Sequence, residues 1–141
     1  MNAVSEIADL TPEVSAWPLL IEKVAEGAKE WLEVAELLAP GTDAGYSLEL
    51  RFAVTRALGR EPGNVLGILG RVYATDEICG DVNVFMDFQT YADASTEVSR
   101  WTQGVTGVSD PTLRPRRQAC LKGLAHLSAE LVKNRQKWFV Q

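Results

Sequence analysis

Apolar residues recur at spacings of three and four along three stretches of this chain, the repeat that places side chains on one face of an α-helix. The stretch over residues 18–38 carries Leu20, Val24, Gly27, Trp31, Ala35 and Leu38. The stretch over residues 85–105 carries Phe85, Phe88, Tyr91 or Ala92, Ser95, Val98, Trp101 and Val105. The last stretch follows Asp110-Pro111 and carries Cys120, Leu124, Leu127, Leu131 and Trp138. These repeats predict an all-α fold.

Proline and glycine residues lie between these stretches and end one helix before the next begins, as at Ala39-Pro40-Gly41 and Pro62-Gly63. The segment over about residues 43–58 is apolar around most of its circumference, which is typical of a central helix. The sequence predicts a single compact domain of about five to seven helices over residues 11–141, orthogonal or bundle-like in arrangement. Residues 1–10 show little periodicity and are predicted to form a flexible N-terminal arm.

The net charge of −5 is unevenly distributed along the chain. Residues 1–43 hold nine acidic and two basic side chains, whereas residues 113–141 hold seven basic side chains and the single acid Glu130. The two ends can attract each other within one fold. Because the whole protein is acidic and core residues interrupt the bases of its last helix, the pattern does not favour nucleic-acid binding.

A row of glutamates lies opposite the apolar stripe of the first stretch, at Glu22, Glu26, Glu30, Glu33 and Glu36. Such a row is typical of the solvated face of an amphipathic helix, and this interpretation is favoured. The alternative is that Glu26, Glu30 and Glu33 bind a basic partner protein.

The location of the protein is left open by its first residues. No run of about 18 apolar residues is present, so we predict no membrane insertion. Residues 1–6 lack the basic and apolar regions of a signal peptide. We expect a periplasmic or secreted protein if Met1 replaces a removed export signal, and a cytoplasmic protein otherwise.

The chain has two cysteines, Cys79 in a turn and Cys120 on the core stripe of the last helix. Three states fit this placement: a disulfide, a reactive thiol pair, or two buried free thiols. The even count favours the disulfide. Closing a loop of this length stabilises a fold by about 4 kcal/mol in the chain-entropy relation. Because structural zinc needs about four ligands, the cysteines and His126 do not make a metal site, and no cofactor is predicted.

His126 is the only histidine, so histidine-dependent catalysis would have to use it. It lies at the edge of the core stripe, and no nucleophile-elbow or metalloprotease motif accompanies it. The glycines of residues 59–70 do not match a phosphate-binding pattern. We therefore predict a non-enzymatic protein, and an enzyme that uses His126 is the least favoured of three functions.

The favoured function is a helical protein-interaction domain, of which an inhibitor or an immunity-type protein is one form. Two observations favour it: the sequence contains few residues or motifs typical of catalysis, and acidic and basic side chains are concentrated at opposite ends of the chain. At the C-terminal end, Trp138 and Phe139 either bind the partner or pack on the first helix, and the packed state is favoured. The alternative function is a carrier of a small apolar ligand, bound by Phe85, Phe88, Tyr91 and Trp101 on one helical face.

Four short segments carry a further signal: Trp31-Leu32, residues 39–45, residues 57–66 and Ile78-Cys79. Together with Cys120, which lies in a predicted helix after an Asp-Pro pair, they resemble small uncharacterised helical proteins that proteobacteria export. The resemblance covers about half of the chain and brings no activity or functional residue. It implies export, and hence a disulfide between Cys79 and Cys120.

Overall fold

The structure is a computed structural model that describes residues 16–139. Within this range the chain forms eight α-helices and no strand, so the all-α prediction is confirmed. Six of the helices have seven residues or more. The predicted arm at residues 1–10 lies outside the described residues. The helices are α1 (Ala16–Glu26), α2 (Lys29–Leu38), α3 (Ala44–Ala57), α4 (Pro62–Ile68), α5 (Thr75–Cys79), α6 (Tyr91–Thr106), α7 (Arg114–Lys133) and α8 (Arg135–Trp138).

Three short 3-10 helices connect these elements, over Ala39–Gly41, Val82–Asp87 and Pro111–Leu113. The side chains of Asp81 and Asp110 accept hydrogen bonds from backbone N–H groups at the starts of the second and third of these turns. None of the helices between residues 16 and 139 is long and apolar enough to cross a membrane.

The first apolar stretch forms two helices rather than one, because the chain turns at Gly27. This residue has a φ of +85°, a left-handed conformation that side chains disfavour, and it ends α1. A Cβ atom at Gly27 would lie 2.8 Å from the Cβ atom of Glu61. Glycine therefore permits both the break and the close approach of the turn between α3 and α4. The predicted stripe remains the buried face on both helices, at Leu20, Val24, Trp31 and Ala35.

Helix α3 is the central helix, as its apolar circumference predicts. Its second half is buried almost without interruption, at Leu50, Phe52, Ala53, Val54, Thr55 and Ala57. The start of α1 contacts the start of α3 at Trp17 and Tyr46, and Gly27 meets Ala57 at the other end. The two helices therefore lie side by side and run in the same direction.

Helices α6 and α7 form an antiparallel pair. Arg117 near the start of α7 donates hydrogen bonds to the backbone carbonyl of Thr106 at the end of α6. At the other end, Arg135 follows α7 as the first residue of α8, and its guanidinium lies 4.1 Å from the centre of the Tyr91 ring at the start of α6. The face of α7 that the sequence predicted for the core is buried, at Cys120, Leu124, Leu127 and Leu131.

The helix predicted to include Phe85 begins only at Tyr91. Residues 82–87 form a 3-10 helix, and Phe88 follows in an extended conformation. Thr90 then caps α6, since its side chain accepts a hydrogen bond from the backbone N–H of Asp93. The prediction that Phe85, Phe88, Tyr91 and Trp101 share one helical face is therefore wrong.

Cys79 at the end of α5 and Cys120 in α7 lie at disulfide distance, with their sulfur atoms 2.07 Å apart. Of the three states that the sequence left open, this geometry is that of the disulfide, and the chain has no free cysteine. Both side chains are fully buried. Gly123 follows one turn after Cys120, and a Cβ atom there would lie 3.0 Å from the Cys79 carbonyl carbon. The bond and the close packing together hold α5 against α7.

Candidate functional site

A groove of about 620 Å³ lies between α1, α3 and the middle of α6. Its apolar surface comes from Trp17, Pro18, Ile21, Ala25 and Phe88. Its charged surface comes from Glu22, Glu26, Glu49, Arg56, Arg60, Glu97 and Arg100. Helix α1 forms one side from Trp17 to Glu26, a length of about 14 Å at 1.5 Å per residue.

The aromatic end of the groove is held by contacts between α1 and α3. The ring of Trp17 meets the ring of Tyr46 edge-on, with the two centres 4.7 Å apart. The indole N–H of Trp17 donates a hydrogen bond to the Glu49 carboxylate. These two contacts hold the Trp17 ring in place, and the Glu49 carboxylate accepts a hydrogen bond from its indole N–H.

The part of the groove that is formed by α3, by the turn after it and by α6 carries three arginines, two of which have acidic neighbours. Arg56 forms an ion pair with Asp87, and Arg100 lies 3.4 Å from the Glu97 carboxylate. The stem of Arg100 also packs on Gly59, where a Cβ atom would lie 3.1 Å from its Cδ atom. Arg60 has no ion-pair partner among residues 16–139. Most of the positive charge on this side is therefore already compensated.

The α1 side carries two carboxylates, Glu22 and Glu26, one helical turn apart. Neither has an ion pair or a side-chain hydrogen bond within the described part of the chain. Glu36 on α2 differs, because it accepts hydrogen bonds from Arg71 at 2.7 and 3.2 Å. Like charges one turn apart repel each other by a few tenths of a kcal/mol. The α1 side of the groove is therefore the side that favours an incoming cation.

The structure separates the three glutamates that the sequence singled out for partner binding. Glu26 lines the groove, whereas Glu30 and Glu33 lie beyond the Gly27 break on α2 and are exposed away from the groove. The break in the helix is the physical reason, since a continuous helix would have kept the row on one face. Their contact with a partner stays a prediction.

Trp138 and Phe139 pack inside the molecule, but on elements other than the first helix. The Phe139 ring is 4 % exposed and lies near Phe85 and Tyr91. The Trp138 ring is partly buried and meets Phe85 edge-on at 5.7 Å between centres. Phe139 therefore presents almost no surface to a partner in this conformation.

The aromatic residues predicted to hold an apolar ligand have different environments. Phe85 and Trp101 are buried in the core, and Trp101 packs against Phe88 with ring centres 6.0 Å apart. Of the four, Phe88 lines the groove.

The residues considered for catalysis and metal binding lie apart from the groove. His126 is exposed on α7. No group of three or more metal-binding side chains occurs between residues 16 and 139.

Among residues 16–139, two ionisable groups away from the groove have altered pKa values. Burial, followed by the nearby charge of Glu77, raises the pKa of Tyr73 to about 12. The Thr112 side chain, followed by its backbone N–H, donates hydrogen bonds that lower the pKa of Asp110. Because Asp110 caps the 3-10 helix at Pro111–Leu113, its shift reflects a structural role.

Comparison of the chain with protein-family models, curated proteins and solved structures finds no match to any of them. The resemblance to exported helical proteins therefore stays a prediction. The candidate site rests on the geometry of the groove.

Sequence reasoning missed Trp17, Ile21 and Arg60 as parts of the site. They come from two segments about 40 residues apart, and no motif joins these segments in the sequence. The available signal was the aromatic residue directly before the glutamate row, since Trp17 lies on the same helix as Glu22 and Glu26.

Proposed function

We propose that this protein is a helical interaction domain that binds a basic partner protein at the groove between α1, α3 and α6. An inhibitor or an immunity-type protein, which blocks its partner by occupying a surface, is one form of this function. The single observation that carries the proposal is the pair Glu22 and Glu26, which line the groove beside its apolar surface and have no ion-pair partner among residues 16–139. A basic partner supplies the missing charge.

The test is reconstitution of a complex from purified components. The full chain is immobilised and exposed to native lysate of the source organism at low and moderate salt, and the retained proteins are identified by mass spectrometry. Each candidate is then purified and mixed with the chain. We expect one basic protein to form a stoichiometric complex that weakens as salt is added. Failure of every candidate to form such a complex would count against the interaction function.

A small apolar ligand is the second candidate for the same groove. The volume of about 620 Å³ falls within the range of small-molecule sites, and Trp17, Ile21 and Phe88 supply apolar contacts. Native mass spectrometry of protein purified without detergent separates the two functions. A bound small molecule of constant mass supports the carrier, and apo protein alone opposes it.

We further propose that the protein works in an oxidising compartment. The supporting observation is the buried Cys79 and Cys120 pair at disulfide distance, since disulfides persist outside the cytosol and are rare within it. Cell fractionation followed by thiol alkylation tests this. Protein found only in the cytosol with both cysteines alkylated would contradict the proposal.

A further inference from the structure

We infer that the partner enters the groove through one short segment that combines apolar and basic side chains, whose lysines or arginines pair with Glu22 and Glu26. This inference rests on the proposed function and specifies the partner. The partner is a basic protein that inserts one segment, because the groove presents an apolar surface and the Glu22 and Glu26 carboxylates in one continuous site.

The dimensions of the groove fit a short segment of chain. Helix α1 borders it from Trp17 to Glu26, over about 14 Å. This length corresponds to about two and a half turns of helix, or to about four residues of extended chain. A single peptide segment therefore spans the site, and the rest of the partner lies outside it.

The apolar part of the segment has a defined place. Ile21 on α1 and Phe88 before α6 both line the groove, and the Trp17 ring is fixed at one end by Tyr46 and Glu49. Fixed aromatic and aliphatic surfaces of this kind bind an anchor side chain with little loss of conformational entropy. An aliphatic or aromatic residue of the partner fits here.

The charged part follows from the two carboxylates. Glu22 and Glu26 are four residues apart, about 6 Å along α1. Basic residues three or four positions apart on a helical segment have a similar spacing, so both carboxylates can be paired at once. Lys23 lies between them in the sequence but does not line the groove.

An acidic segment fits the groove less well. Arg56 and Arg100 already pair with Asp87 and Glu97, which leaves Arg60 as the cation without an acidic partner in the described chain. Charge complementarity therefore favours a basic occupant over an acidic one.

The test uses the full chain and a library of displayed peptides of about 12 residues, which is long enough for three helical turns. Peptides selected on the wild-type protein are synthesised, and their affinities are measured by calorimetry and by the change in tryptophan fluorescence, to which all four tryptophans of the chain contribute. The affinities are then compared for two double variants. One is Glu22→Gln with Glu26→Gln, and the other, Glu30→Gln with Glu33→Gln, makes the same charge change on α2 outside the groove.

We expect the selected peptides to carry two lysines or arginines three or four positions apart, beside an apolar residue. The α1 variant should bind them about 10-fold more weakly, because two partly exposed ion pairs are lost. The α2 variant should bind within about 2-fold of wild type, since its glutamates lie away from the groove. Thermal unfolding followed by circular dichroism should show both variants folded, because none of the four side chains is buried.

Three results would overturn the inference: selection of acidic peptides, equal binding by the α1 variant and wild type, or no enrichment of any peptide. None of these results would refute the interaction function itself, which is tested separately by reconstitution of the complex. If the α1 variant forms the stoichiometric complex as well as wild type does, the interaction function stands, but the partner binds at another surface.

Discussion

Replacing both cysteines by alanine removes the covalent link between α5 and α7 and should lower the free energy of unfolding. The two residues are 41 positions apart, and the chain-entropy relation gives about 13 cal/mol/K for a loop of that size. At about 25 °C this is about 4 kcal/mol of stability. Both side chains are fully buried, so removing two sulfur atoms adds about 1 kcal/mol for imperfect packing.

The expected loss of about 5 kcal/mol is large compared with the total of about 5–15 kcal/mol that is typical of a domain. The assay is equilibrium unfolding in urea, followed by far-ultraviolet circular dichroism. With a slope of about 2 kcal/mol/M, the midpoint should fall by about 2.5 M. The slope should also increase, because an unfolded chain without the cross-link exposes more surface.

Reduced wild-type protein is the matched control, since it keeps both sulfur atoms and loses only the cross-link. It should lose about 4 kcal/mol, and the difference between the two samples measures the packing of the sulfur atoms. A loss below about 1 kcal/mol in both samples would refute the reasoning, because the unfolded chain would then gain little freedom when the link is cut.

Two further predictions concern helix packing and a buried tyrosine. Gly104→Ala places a Cβ atom 2.6 Å from the Leu58 carbonyl oxygen and should lower the free energy of unfolding by about 1–2 kcal/mol despite its better helix propensity. Gly67→Ala, on α4 with open space around it, is the control and should raise stability by about 0.5–1 kcal/mol; equal effects of the two changes would contradict the packing argument. Because burial raises the pKa of Tyr73 from 10.0 to about 12, its contribution to stability is full below pH 10.0 and is lost as the pH rises to about 12. A titration of tyrosinate absorbance should show one late component that Tyr73→Phe removes, and an unchanged titration would oppose this assignment.

The helical faces could be predicted because they depend on local periodicity. The repeat of Cys120, Leu124, Leu127 and Leu131 predicted a buried stripe, and all four are buried. A helix has 3.6 residues per turn whatever its neighbours, so the residues that share one face can be identified from their spacing in the sequence. Trp138 leaves this stripe because α7 ends at Lys133 and the chain bends at Asn134.

The breaks between helices were less predictable because they depend on neighbouring elements. Gly27 is a weak helix former, but a glycine inside an apolar repeat is compatible with either a continuous helix or a turn. The close approach of Glu61 accompanies the turn in the folded protein. In the same way, the 3-10 turn at Val82–Asp87 places Phe85 in the core and Phe88 at the groove.

The sequence by itself determined that this protein is helical, which faces of its first and last apolar stretches are buried, and that two cysteines were available for a link. Each of these properties follows from composition or from spacings within about one or two helical turns. The distance between Cys79 and Cys120, the separation of Glu26 from Glu30 and Glu33, and the groove itself were decided by the tertiary structure. They depend on contacts between segments far apart in the chain, and local periodicity carries no information about those contacts.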